Sequence, residues 1–190
     1  MPHPAILSCL YLLLGLSVFI AWWGEFRRRQ KTHQEEGFWP GTTSTTWSVH
    51  ALVVSGVLFL TLLETAIEVH FGVSQSQSTL PSYAIAALLG ASLIEEIVFR
   101  GFAAPGQFNG SKLLSVAVVG SLVFAVIHQF DLSTTEGKIS TAFSFLISLW
   151  LYFARFNPLN KQRSLLPCFM GHIVRNLAVF GIKWIQGFVN

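Results

Sequence analysis

Three short polar clusters interrupt otherwise apolar stretches of the chain: Glu95 and Glu96 with Arg100, Phe124 with His128, and His172 with Asn176. Glu96 and Arg100, Phe124 and His128, and His172 and Asn176 are each four residues apart. That spacing places both members of a pair on one helix face. A carboxylate and an imidazole can hold and deprotonate a water molecule. A second histidine and a side-chain amide can donate hydrogen bonds to a developing oxyanion. Glu95, His128, His172 and Asn176 therefore form a candidate hydrolytic set. On the residues alone, plainer readings stand beside it: an ion pair that locks a helix bundle, an interfacial histidine, and polar glue between helices.

The first cluster is the most costly. A charge at the centre of a helix in lipid costs about 2.5–3.5 kcal/mol on insertion scales, and here three charges fall within six residues, Glu95 to Arg100. Glu96 and Arg100 can cancel one another. Glu95 lies about 100° around the helix from Glu96 and lacks that partner, which makes it a functional candidate. A hairpin turn centred on Asn109-Gly110 would put Glu95 and His128 within roughly 3–6 Å of the same height.

Other proteolytic chemistries find less support. A paired-aspartate site needs two aspartates, and the chain has one, Asp131. The His-Glu-x-x-His zinc motif is absent. Gly90-Ala91-Ser92-Leu93 matches a membrane serine-protease site only in part. Cys168 lies one turn before His172, so a Cys–His pair is conceivable, but a small apolar packing role for Cys168 is simpler. Cys9 and Cys168 make neither a disulfide framework nor a cysteine zinc site.

The elements that must carry these residues are hydrophobic helices. Of the 190 residues, 52% are hydrophobic and 11% charged, against about 25% charged in a soluble domain. The expected fold is all-α, a polytopic transmembrane bundle of about six spans, near 4–23, 47–69, 82–104, 111–130, 139–155 and 164–187. The third and fourth are separated by the breakers Pro105 to Gly110. The fifth is short, and either tilts or lies partly in the interface. The first is a retained helix, because Arg27, Arg28, Arg29 and Lys31 follow it and no basic residue precedes it. The net charge of +3 is scattered, and no nucleic-acid partner is expected.

Lysine and arginine alternate between loops, which puts odd-numbered loops in the cytoplasm and both termini outside. The polar stretch Arg27 to Thr46 reads as a solvated loop without chemistry. Glu64, Glu68 and His70 read as facing the outer interface, with a role in water access to His128 as the alternative. Trp22, Trp23, Trp39 and Trp47 flank spans as an aromatic belt does.

The three clusters, in this order and each in its own apolar segment, resemble the CPBP family of membrane proteases, also called the Abi or CAAX-protease family, which includes the Ras-converting enzymes. Phe99-Arg100-Gly101 after the glutamates and Leu165-Leu166-Pro167 ahead of His172 add to the likeness, which spans about residues 82–180. It divides the chain into two N-terminal helices with a basic cytoplasmic loop (1–81) and a catalytic helical core (82–190). It implies an intramembrane endopeptidase in which Glu95 and His128 activate water and His172 and Asn176 stabilise the oxyanion. Glu96, Arg100 and Phe124 would support them. The substrate would be a membrane-anchored protein or peptide, prenylated or carrying a C-terminal signal, and the location a bacterial inner membrane. A metal-free site is favoured; zinc is the alternative cofactor, with Glu95, His128 and His172 as its ligands. The rival function is non-catalytic: a bacteriocin self-immunity factor or a scaffold. The topology is testable with Arg29→Cys and Ser76→Cys in intact cells. Ser76→Cys should react with an impermeant thiol reagent and Arg29→Cys should not; the reverse pattern would invert the orientation.

Overall fold

The computed structural model describes residues 3–32, 37–73, 79–128 and 130–190. Six α-helices follow one another among them: α1 Pro4–Thr32, α2 Trp47–His70, α3 Ala84–Glu95, α4 Gly110–Ile127, α5 Thr135–Phe156 and α6 Leu166–Ile185. α3 continues directly into a π-helix, π1, Glu96–Phe102. The described residues contain no strand; one parallel bridge joins Leu80 to Val189. The protein is thus all-helical, as its hydrophobic pattern requires.

Helices α1, α2, α4 and α5 are long and apolar enough to cross a membrane. The fifth is longer than the sequence pattern suggests. It starts at Thr135 because the Thr134 hydroxyl accepts the Gly137 N–H at 3.0 Å, so a polar first turn hides inside what reads as loop. Thr134 is an N-cap. The two remaining helical runs, α3–π1 and α6, carry the polar clusters. In lipid, such residues belong in the bundle interior.

Close helix approach positions α3. A side chain at Gly15 of α1 would collide with the Gly90 backbone of α3, and one at Gly90 with the Tyr11 carbonyl. Small residues that let backbones touch are the usual adhesive between membrane helices, where no hydrophobic force drives association. α2 packs on α5 and α6, with Trp150 lying over Gly56 and donating to the Val53 carbonyl at 3.1 Å. α4 packs chiefly on α5 rather than folding back on α3 as a simple hairpin. It meets π1 through Phe124, whose ring contacts Phe99 edge-on at 5.4 Å and lies under the Arg100 guanidinium.

Three sequence readings are corrected. Helix α1 continues through the arginines to Thr32, and residues 37–46 form an anchored loop, not a solvated one; residues 33–36 lie outside the described residues. Pro40 accepts the Trp22 indole N–H at 2.8 Å, Gly41 accepts Leu165 N–H at 3.0 Å, and Thr42 is buried and bonded by Arg29. These carbonyls need partners once the loop covers the bundle. Trp22 is consequently a core residue, fully buried among Phe19, Phe26 and Phe169, whereas Trp47 is 83% exposed. Glu64 and Glu68 are buried, not interfacial, because Arg175 of α6 binds Glu64 at 2.6 Å. His70 is exposed.

The α1–α3 contact yields a prediction. Gly90→Ala should lower thermal stability in detergent by about 1–3 kcal/mol, as overpacking does. Gly24→Ala, with open space at the added carbon, should be neutral or slightly stabilising. Equal melting temperatures for the two variants would contradict this packing.

Candidate active site

The site is built on a π-helix. Ala103 N–H reaches back five residues to the Val98 carbonyl at 2.9 Å, which widens the turn that carries Glu96 and Arg100. π-Helical turns are rare and concentrate at functional sites. Three residues of α5 hold this one: Ser148, Tyr152 and Arg155, all buried and on one helix face. The Tyr152 hydroxyl donates to the Phe99 carbonyl at 3.0 Å, and Arg155 Nη1 donates to Gly101 and Ala104 at 3.2 and 2.7 Å. The carbonyls that a π-helix leaves without regular partners are thereby satisfied.

Arg100 is fully buried. Its Nη1 binds Glu96 Oε1 at 3.0 Å, and its Nη2 donates to the Ser148 hydroxyl and carbonyl at 2.6 and 3.0 Å. Its guanidinium lies over the rings of Phe124 at 4.9 Å and Tyr152 at 5.0 Å. The spacing-based pairing of Glu96 with Arg100 is therefore present, in a setting of cation–π contacts.

The adjacent glutamates have different surroundings. Glu96 has no exposed side-chain surface, and its Oε1 also accepts the His172 Nδ1–H at 2.7 Å. That bond fixes the imidazole and leaves Nε2 directed at Glu95 Oε2, 3.7 Å away. The Glu95 side chain keeps 22% of its surface accessible. The gap exceeds a hydrogen bond, so Glu95 and His172 Nε2 are neighbours without being bonded.

Asn176, one turn beyond His172, donates to Ser92 Oγ at 2.8 Å and to the Leu88 carbonyl at 3.0 Å. Ser92 in turn donates to Leu88. Its hydroxyl is thus a structural link between α3 and α6, not a free nucleophile. Cys168 is buried with its thiol on the Leu151 carbonyl, and His172 is turned away to Glu96. Asp131 sits in an exposed turn, where the Ser133 hydroxyl and N–H hold its carboxyl below the usual range.

His128 is the C-cap of α4. Its Nδ1–H donates to the Phe124 carbonyl at 2.6 Å, which leaves Nε2 free. The Phe124 ring touches both imidazoles, His128 at 4.6 Å and His172 at 5.9 Å between centroids. No hydrogen bond or ion pair joins Glu95 to His128 among the described residues. The direct meeting that a hairpin would give does not occur, because α4 leans on α5. Among the described residues no three His, Cys, Asp or Glu side chains converge to hold a metal.

Sequence reasoning missed the α5 supports and the turn that starts α6. Ser148, Tyr152 and Arg155 at i, i+4 and i+7 form a polar stripe on an apolar helix, a readable signal. The α5–α6 turn is a buried network in which Asn160 bonds Ala154 and Ser164, and the Ser164 hydroxyl reaches the Thr43 carbonyl at 2.5 Å. It fixes where α6 begins, and so the depth of His172.

Removing Arg100 should collapse this arrangement. Breaking a buried pair from one side costs about 3–5 kcal/mol, so Arg100→Ala should reduce the yield of folded protein and lower its melting temperature in detergent. Wild-type yield and melting temperature for that variant would mean that the pair contributes nothing to the fold.

Residues 77–178 match the family model described as type II CAAX prenyl endopeptidase Rce1-like. No curated protein and no solved structure matches the chain. The matched residues run from just before α3 into α6 and include Glu95, Glu96, Arg100, Phe124, His128, His172 and Asn176. A membrane-associated protein substrate and a lipid environment follow from that match. With more than half of its length covered, and with apolar helices that suit a bilayer, the chain belongs to the Rce1-like family of type II CAAX prenyl endopeptidases.

Proposed function

We propose that this protein is a glutamate-dependent intramembrane endopeptidase that cleaves a prenylated or C-terminally marked protein held in the same bilayer, a bacterial inner membrane. The observation that carries this reading is the unequal setting of the two glutamates. Glu96 is sealed and committed to Arg100 and His172, whereas Glu95 is accessible and makes no bond shorter than 3.7 Å to the histidine beside it. A carboxylate with accessible surface can meet a water molecule; Glu96, with none, cannot, although both of its donors sit on Oε1 and its Oε2 has no partner among the described residues.

In this mechanism Glu95 takes a proton from a water molecule as the oxygen attacks the scissile carbonyl carbon. It then returns the proton to the leaving amine as the carbon–nitrogen bond breaks. His128, with Nε2 free, is the water's second partner, reached past the Phe124 edge. His172 keeps Nδ1 on Glu96, and a proton on its Nε2 would be the donor to the oxyanion. Asn176 joins as a second oxyanion donor on exchanging Ser92 for the substrate oxygen. Phe124 contacts both imidazoles and the Arg100 guanidinium.

A metal-free site is supported by how these side chains are already used. Both imidazoles pack against the Phe124 ring, and among the described residues Glu95, His128 and His172 do not converge on one point as zinc ligands would. No step above passes through a metal.

The substitution Glu95→Gln keeps shape and removes the base. It should lower cleavage of a membrane-anchored peptide in liposomes by about 10²–10⁴ while leaving the melting temperature unchanged; a wild-type rate would overturn the assignment. Dialysis of the wild type against a strong chelator should leave its rate unchanged. Activity lost to the chelator and restored by zinc would overturn the metal-free reading.

A further inference from the structure

A second site lies at the C-terminal end of π1, and it is made of cations. A groove of about 1060 Å³ opens where π1, α1 and α5 end, and Arg29, Arg155, Lys161 and Arg163 line it. No Asp or Glu lines it among the described residues. Nearby Glu25 is occupied by the Trp39 N–H.

The groove is held open by interactions that bring like charges together. The guanidinium groups of Arg155 and Arg163 both lie over the Phe156 ring, at 5.0 and 5.3 Å. Arg155 Nε donates to the Arg163 carbonyl at 3.1 Å. Arg163 is the one non-glycine residue with positive φ, 53°, among the described residues. Non-glycine residues in that region are uncommon and strained, and such strain clusters at ligand sites. Arg163 Nη1 is fixed by the Phe108 carbonyl at 2.7 Å, while its Nη2 makes no hydrogen bond among the described residues. Lys161 is exposed and forms no hydrogen bond or ion pair among them. Two guanidinium groups share one ring, an ammonium lies beside them, and no carboxylate lines the groove among the described residues, so the local potential favours an anion.

We propose that this groove binds the phosphodiester headgroup of an anionic phospholipid. The open donors are Arg163 Nη2 and the Lys161 ammonium, which suit phosphate oxygens, with buried Arg155 adding charge behind them. Its position favours a lipid over a soluble phosphate compound. Every wall is a helix end or the loop beside it, which is the depth of lipid headgroups. Phe38, Trp39 and Phe102 form a three-ring cluster at its rim, with centroids 5.3–6.0 Å apart, and Phe38 and Phe102 are exposed. Aromatic rings at that level pack beside glycerol and upper acyl chain. Gly101 and Phe102 of the groove follow Arg100 directly, so the lipid would brace the end of π1. This assignment does not depend on the protease mechanism.

The test is native mass spectrometry and thermal unfolding of the full chain in a nonionic detergent, with added phosphatidylglycerol, phosphatidylcholine or inorganic phosphate. Phosphatidylglycerol should bind and raise the melting temperature, and phosphatidylcholine should not. Lys161→Gln combined with Arg163→Asn, which tolerates positive φ, should weaken phosphatidylglycerol binding about thirtyfold, from about 1 kcal/mol per cation. Lys161→Gln alone touches no structural bond; it should weaken binding by about fivefold and keep the wild-type melting temperature without lipid. Equal binding of the two lipids, or unchanged phosphatidylglycerol binding in both variants, would overturn the site. Inorganic phosphate matching the lipid's effect at the same concentration would overturn the lipid as its ligand.

Discussion

A buried guanidinium sets the terms for the rest of this bundle. Arg100 has no exposed surface, and in a lipid-embedded core such a charge persists only with a countercharge and acceptors close by; both of its Nη atoms have them, and its Nε has none among the described residues. Glu96 supplies the countercharge, Ser148 two oxygens, and Phe124 and Tyr152 the faces of their rings. Those demands recruit π1, α4 and α5 to one point. His172 adds α6, because its Nδ1–H shares the Glu96 oxygen that Arg100 binds. Four helical elements therefore meet around a single carboxylate, and the residues proposed for catalysis are arranged by its needs.

The same constraint separates two adjacent glutamates. In a regular α-helix Glu95 and Glu96 point about 100° apart, and here the second is consumed by structure while the first is left at an accessible edge. Placing the pair at the junction of α3 and π1 lets one residue join the core and its neighbour face the site. Tyr152 and Arg155 hold the π-helix by its free carbonyls, so the distortion is fixed by packing. Gly120 of α4 leaves the room that the Tyr152 hydroxyl occupies.

Much of this was legible in the sequence where the physics is local. Apolar runs marked all six helices, four of which are long and apolar enough to cross a membrane, and four-residue spacing marked the Glu96–Arg100 pair. What was not legible depends on long-range packing. Nothing in the spacing of Glu95 and His128 reveals that α4 leans on α5; similar height therefore did not translate into a bond between them, and both imidazoles instead contact Phe124. The π-helix escaped because the pattern of apolar residues barely changes over one wide turn. The loop at 37–46 read as solvated because its residues are polar, yet its backbone carbonyls are what Trp22 and Leu165 bind. Glu64 read as interfacial because its partner, Arg175, is 111 residues away.

The central claim is that Glu95, not Glu96, holds the attacking water, and that no metal does. The most direct measurement is an experimental structure in lipid, with an uncleavable peptide bound, at a resolution that shows ordered water. The account predicts a water within hydrogen-bond distance of Glu95, near the peptide carbonyl, with Glu96 still bound to Arg100 and His172. A metal ion ligated by Glu95 and the two histidines, or a water held by Glu96 instead, would contradict it.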